Sequence, residues 1–197
     1  GLCVILRETG KRDYKVLGCF GEAVRAQADD PQQWNRLKEI FASPSLQLVS
    51  FTITEKGYAL TNAAGKYFPF VQADIDNGPD KVTGAMGVLT AMLLERYRHG
   101  KTPLALVSMD NCSQNGSLLR RSVLTMTEEW QKKGYVDEGF AAYVADEAVI
   151  AFPWTMIDKI TPRPNPDIAA DLEALGVENM QPIETSRRTY IAPFING

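Results

Sequence analysis

Two short apolar runs constrain the fold of this chain more than any other feature: LQLVSFTIT at 46–54 and PLALVSM at 103–109. Each is bounded by turn or polar residues and is rich in β-branched or aliphatic side chains, as a buried strand is. Because LQLVSFTIT is apolar on both faces, it is expected to be covered on both sides of a sheet. Between the runs, Val82 to Arg98 reads as a helix, with Met86, Leu89, Leu93, Leu94 and Tyr97 on one stripe. A second helical pattern follows from Leu118 to Lys133. Strands alternating with helices specify an α/β fold with a largely parallel sheet. In such sheets ligands sit outside the carboxyl ends of the strands, and both runs end in polar clusters, TITEKGY and SMDNCSQNG.

The remaining segments fit the same class. LCVILRETGKRDYKVLGCF reads as a hairpin around Thr9-Gly10, with Cys3 and Cys19 in its strands. Asp30 before Pro31 is a helix start, continued by Trp34, Leu37, Ile40 and Phe41 at helical spacing. Turns are expected at Gly65-Lys66 and at Asn77-Gly78-Pro79. A short helix fits Asp137 to Ala145, AVIAFPWTMIDKIT mixes strand and turn, and PRPNPDIAADLEALG becomes a helix ending at Gly176. TYIAPFI is a last apolar segment.

Composition removes several function classes. With 197 residues and 45% hydrophobic content, the chain is expected to form one domain, or one and a small part, able to bury a core. Its formal charge is −3 and it has no basic run, which argues against nucleic acid. No apolar stretch reaches the ~18 to 20 residues of a membrane helix. Three widely spaced cysteines suit a reducing, cytoplasmic setting. One histidine, His99, excludes a histidine-rich zinc site and a Ser-His-Asp triad within the chain.

Three motifs carry chemistry, and each has a plainer structural reading. Thr54 and Glu55 end the first run, and they either face a ligand, with Gly57 letting the backbone pass close to it, or form a solvated loop exit. The Asn111 carboxamide is a neutral donor able to stabilise a carbonyl oxygen that gains negative charge. Alternatively, Asp110 and Asn111 form an Asx-turn; Asn115 or Ser117 caps the next helix in either case. Asp158-Lys159, between Ile157 and Ile160, is either a site acid or a structural pair, internal or at the surface.

Taken in order and spacing, FTITEKGY, VSMDNCSQNG and FPWTMIDKITP resemble the long-chain polyol-specific dehydrogenase family. Its members include mannitol 2-dehydrogenase, fructuronate reductase and tagaturonate reductase. The family's usual forms are close to T-x-T-E-x-G-Y, S-C-D-N-x-x-x-N-G and F-P-x-x-M-V-D-R-I-T-P. This chain departs from them at Met109, Ile157 and Lys159. The resemblance implies a Rossmann-type domain, NAD or NADP as cofactor, and a sugar alcohol or uronate as small-molecule substrate, with no zinc. It implies that Asn111 belongs to the oxyanion pocket and that Glu55 lies beside substrate. Thr54, Asp110 and Asp158 are implied on the cofactor side.

Two parts of the family pattern are not in this sequence. No G-x-G phosphate loop precedes the motifs, and the family's lysine base belongs to a helical C-terminal substrate domain. The chain opens within a strand-like pattern and closes on an apolar run, so residues 1–197 are expected to be a partial nucleotide domain, apparently lacking its first βαβ portion. On that expectation the segment alone is inactive. The alternative is a truncated stand-alone α/β binding module without catalysis.

Overall fold

The computed structural model describes residues 2–6, 12–16, 18–19, 21–157 and 165–181. Contacts divide the chain into Val24–Ile157 and a second unit, Gly1–Ala23 with Asp158–Gly197.

In the larger unit, Asp30 caps the helix that its sequence announces: its side chain accepts from the Gln33 amide at 3.3 Å, and Pro31 opens α1, Pro31–Ala42. Strand β3 covers Leu48–Phe51 and is followed by a single-turn helix α2, Glu55–Tyr58. The expected turn at Gly65 is present at φ +74°, inside a small loop closed by a bridge between Thr61 and Tyr67. Helix α3, Pro69–Asn77, was not foreseen; only Val71, Asp74 and Ile75 are buried along it, too few for a periodic signal. The Gly78 turn, also at φ +74°, leads to α4, Ala85–Arg98. Strand β4, Leu104–Ser108, helix α5, Asn115–Lys132, helix α6, Glu138–Ala145, and the two-residue strand β5, Ile150–Ala151, complete the unit. Helix α5 starts one turn before the first apolar residue of its pattern, because its opening Asn115-Gly116-Ser117 is polar.

The three strands form one parallel sheet in the order β3-β4-β5. Leu48 pairs with Ala105 and Phe51 with Ser108, while Leu104 pairs with Ile150. The central strand β4 is covered on both faces, with Leu106 fully buried. Strand β3 is not, contrary to the sequence expectation: Leu48 is 53% exposed and Ser50 is exposed, whereas Val49 and Phe51 pack against the core. Among the described residues β3 has a neighbour on one side only, and an edge strand with one solvated face shows this alternation. The core lies around β4, where Leu93, Leu119, Val123, Trp130, Phe140 and Ile150 are all essentially inaccessible.

Two buried charges hold the layers. Arg96 of α4, 1% exposed, donates through every guanidinium N–H to backbone carbonyls: Nε to Thr102, Nη1 to Phe41 and Ser43, Nη2 to Leu46 and Pro103, all at 2.8 or 2.9 Å. It thereby joins the C-terminal end of α1 and the loops leading into β3 and β4. Asp74, also 1% exposed, accepts from the amides of Thr83 and Gly84 at 2.8 Å and so caps α4 from outside the helix.

In the second unit, β1, Leu2–Leu6, pairs antiparallel with β2, Arg12–Val16, as the hairpin reading requires. Its turn at Thr9-Gly10 lies outside the described residues. Cys3 is in β1, but Cys19 is exposed and outside any strand, which corrects its expected place. Helix α7, Pro166–Ala174, is capped by Asn165 through the Asp167 amide at 2.8 Å, and its exit turn uses Gly176 at φ +85°. Ile168 and Leu172 are buried, with Val177 and Met180 packed beside them. The segment TYIAPFI falls outside the described residues, and no described helix is long and apolar enough to cross a membrane.

Candidate active site

The parallel pairing of Phe51 with Ser108 brings the ends of both polar motifs to one edge of the sheet. The Met109 amide continues the ladder to the Phe51 carbonyl at 2.8 Å. Asp110 then closes the edge. Its Oδ2 accepts from the Ile53 amide and its Oδ1 from the Thr54 amide, each at 2.9 Å. The Tyr58 hydroxyl donates to Oδ2 at 2.5 Å and also bonds the Ser108 hydroxyl at 2.7 Å. Burial, then donation to the Asp110 carboxylate, pushes the Tyr58 phenol far above its ordinary value, so it stays protonated.

Thr54 is held at φ 64°, ψ 161°. That region belongs essentially to glycine and costs a β-branched residue about 1–3 kcal/mol. The conformation is pinned on both sides: the Thr54 amide by Asp110, its carbonyl by the Gly57 amide at 2.9 Å. Gly57 makes room for Ile53, whose side chain would lie 2.8 Å from a Cβ there. The close approach it permits in this structure is therefore to Ile53 of the same turn.

At this edge the Thr54, Glu55 and Asn111 side chains are exposed, and Asn111 makes no side-chain hydrogen bond among the described residues. Cys112, the next residue after Asn111, is half-buried against the core. Burial, aided by the negative charges of Asp110 and Glu55, pushes its thiol up, which keeps it protonated and a poor nucleophile. The structure thus brings Thr54, Glu55, Asp110 and Asn111 together; Asp158 lies outside the described residues.

Asn115 has a different part from the helix cap expected of it. The N-cap of α5 is Gln114, in the left-handed region at φ 53° and without a side-chain cap bond. Buried Asn115 instead ties three segments: Nδ2 donates to the Asp110 and Thr155 carbonyls at 3.1 Å and to Thr155 Oγ1 at 2.8 Å, while Oδ1 accepts from the Thr155 amide at 3.1 Å. Nor does Ser117 cap the helix; it meets Trp154, whose indole N–H lies 3.0 Å from its Oγ. Gly116 has no alternative, since a Cβ would lie 2.4 Å from the Phe152 carbonyl oxygen and 2.7 Å from that of Pro153. The Asn-Gly of the second motif and the Phe-Pro-Trp-Thr of the third are therefore one joint.

A test follows from the direction of these bonds. In Asn115→Asp a carboxylate oxygen would replace the NH₂ among carbonyl oxygens, costing about 3 kcal/mol at neutral pH. The buried acid's pKa would rise above its unfolded value. The penalty should accordingly be full above the raised value and shrink as pH falls toward ~4, where the unfolded chain is protonated as well. Urea unfolding at both pH values checks this; equal penalties would contradict it.

Two residues were missed as partners in the sequence: Tyr58, which serves Asp110, and Thr155, which serves Asn115. Both stand inside the quoted motifs, which is the only signal the sequence offers for them. Behind Tyr58 a groove of about 500 Å³ runs past Leu60, Thr61, Tyr67, Arg121 and Thr125.

The family described as the mannitol dehydrogenase Rossmann domain matches residues 2–187. The chain belongs to this family. It is 45% identical over 195 residues to the D-mannonate oxidoreductase of Thermotoga maritima, covering 99% of this chain and 36% of that protein. Two solved structures share the fold. A substrate-free D-sorbitol dehydrogenase superposes with a TM-score of 0.72 at 27% identity, covering 91% of this chain and 35% of the other. The Pseudomonas fluorescens mannitol 2-dehydrogenase, in a ternary complex with NAD and D-mannitol, gives 0.69 at 26%, covering 88% and 34%. The chain spans about a third of the length of the curated relatives it matches.

Proposed function

We propose that residues 1–197 are part of the nucleotide domain of an NAD(P)-dependent oxidoreductase acting on a sugar alcohol, ketose or sugar acid. The observation that carries this reading is the joint presentation of Thr54, Glu55 and Asn111 outside the carboxyl ends of β3 and β4. There a parallel α/β sheet binds its ligands. The 45% identity to a D-mannonate oxidoreductase favours a sugar acid over a sugar alcohol. A helical substrate domain downstream would supply the family's lysine base and the second wall of the cleft.

The residues present fit the nicotinamide end of a dinucleotide. Residues with exposed hydroxyl, carboxylate and carboxamide groups lie at one edge, and a clamp behind them keeps the backbone fixed. They do not supply the pyrophosphate end: no described helix opens on a glycine-rich turn directly after a strand, the usual source of phosphate-binding amides. Bound NAD(P) supplies the hydride acceptor. The chain's own contribution is Asn111 donating its amide N–H to the reacting oxygen, with Thr54 and Glu55 flanking the reacting carbon. The second wall supplied by the downstream domain would exclude water from it.

Isothermal titration tests the division of labour. Residues 1–197 should bind NADH weakly and reduce no NAD with D-mannonate or D-mannitol. A protein extended by the family's flanking domains should bind in the micromolar range and turn over one of the two. Micromolar binding by residues 1–197 alone would contradict the assignment of the pyrophosphate site to sequence outside them.

A further inference from the structure

We propose that Asp110 and Tyr58 are a positioning pair that holds Thr54 and Glu55 in their active arrangement, and that Asp110 does not itself contact the cofactor. This rests on the function proposed above. Both Asp110 oxygens are directed inward, Oδ1 to the Thr54 amide and Oδ2 to the Ile53 amide and Tyr58 hydroxyl. Tyr58 is 2% exposed and follows Thr54 by one helical turn, so its phenol folds back under the strained residue and closes a ring with Asp110. Its backbone carbonyl is fixed in turn by the Ser122 hydroxyl of α5 at 2.6 Å.

A β-branched residue in a glycine region persists only where its surroundings over-determine it. Here the over-determination comes from the next strand. The Asp of one motif and the Tyr of the other are thus a single device. Without it, Thr54 relaxes toward an ordinary β conformation and Glu55 moves with it, while Asn111 stays at the end of β4.

The test uses the intact enzyme with Tyr58→Phe, Asp110→Asn and Thr54→Gly, and the double variant Tyr58→Phe/Thr54→Gly. Tyr58→Phe should lower kcat roughly tenfold, and Asp110→Asn about 10²-fold, as misplacement of groups by an ångström does. The dissociation constant for NADH should change less than about threefold in both, since neither residue touches the cofactor. Glycine adopts the Thr54 conformation without strain. Thr54→Gly should therefore raise the melting temperature, and in its background Tyr58→Phe should lose little further kcat. An NADH affinity that collapses in Asp110→Asn with kcat preserved would overturn the pair in favour of direct cofactor contact. Equal kcat losses from Tyr58→Phe in both backgrounds, or a lower melting temperature for Thr54→Gly, would also overturn it. If the unaltered enzyme oxidises no sugar acid or sugar alcohol, the proposed function fails instead, and the melting temperatures still decide the strain.

Discussion

Replacing Arg96 by methionine is expected to bring the larger unit to the margin of folding. The guanidinium is the common partner of the Phe41, Ser43, Leu46, Thr102 and Pro103 carbonyls, and none of its bonds goes to a carboxylate. Methionine fills much of the volume but donates nothing. Hydrogen bonds to a charged donor are worth about 1.5–3 kcal/mol each, and the carbonyls nearest the surface recover part of that from water. A net loss on the order of 4 kcal/mol remains. Set against a total stability of about 5–15 kcal/mol for a domain, that is a large fraction. Lysine should recover only part, because a single ammonium cannot span carbonyls on both sides of a planar fork. Urea unfolding checks both variants. A midpoint for Arg96→Met near that of the unaltered chain would mean the loops hold without the cage.

Features of the fold written in local chemistry were legible in the sequence. Asp30 and Pro31 mark the start of α1 because capping needs only neighbours, and Asp137 does the same for α6, accepting from the Phe140 amide at 2.7 Å. The central strand β4 shows in its composition because both faces are covered. The exposure of β3 does not show, since being at an edge depends on which strands lie alongside. Helix α3 escaped notice because it buries too few apolar residues to set a period. Arg96 reads in sequence as one charge among several on a helix; its burial depends on carbonyls at Phe41, Ser43 and Leu46, some 50 to 55 positions away, as well as on nearby Thr102 and Pro103.

The candidate site divides in the same way. Its motifs and their order were readable, and so was the edge of the sheet they share. What the motif residues do for one another was hidden, because the partners are remote: Thr54 meets Asp110 across 56 positions and Asn115 meets Thr155 across 40. Asp110 illustrates this best, since the family resemblance implied a place on the cofactor side and its geometry gives it two backbone amides and a phenol.

The largest effect on catalysis is expected at Asn111. It stands one residue beyond the fixed Asp110, exposed, with its carboxamide unused by the described residues. On the proposed function, a neutral donor there would stabilise charge that develops on the reacting oxygen in the transition state and do little for the bound ground state. Removing one such donor typically lowers kcat by about 10²–10³-fold. Asn111→Ala should leave folding intact, since no internal bond is lost, and a purely structural Asx-turn role would show itself in stability instead. The decisive measurement is single-turnover oxidation of D-mannonate and D-mannitol by the intact enzyme and its Asn111→Ala variant, with NADH affinity measured in parallel. The result expected is a rate at least about 10²-fold lower with the NADH dissociation constant within about threefold; an undiminished rate would contradict the placement of the reacting oxygen at the end of β4.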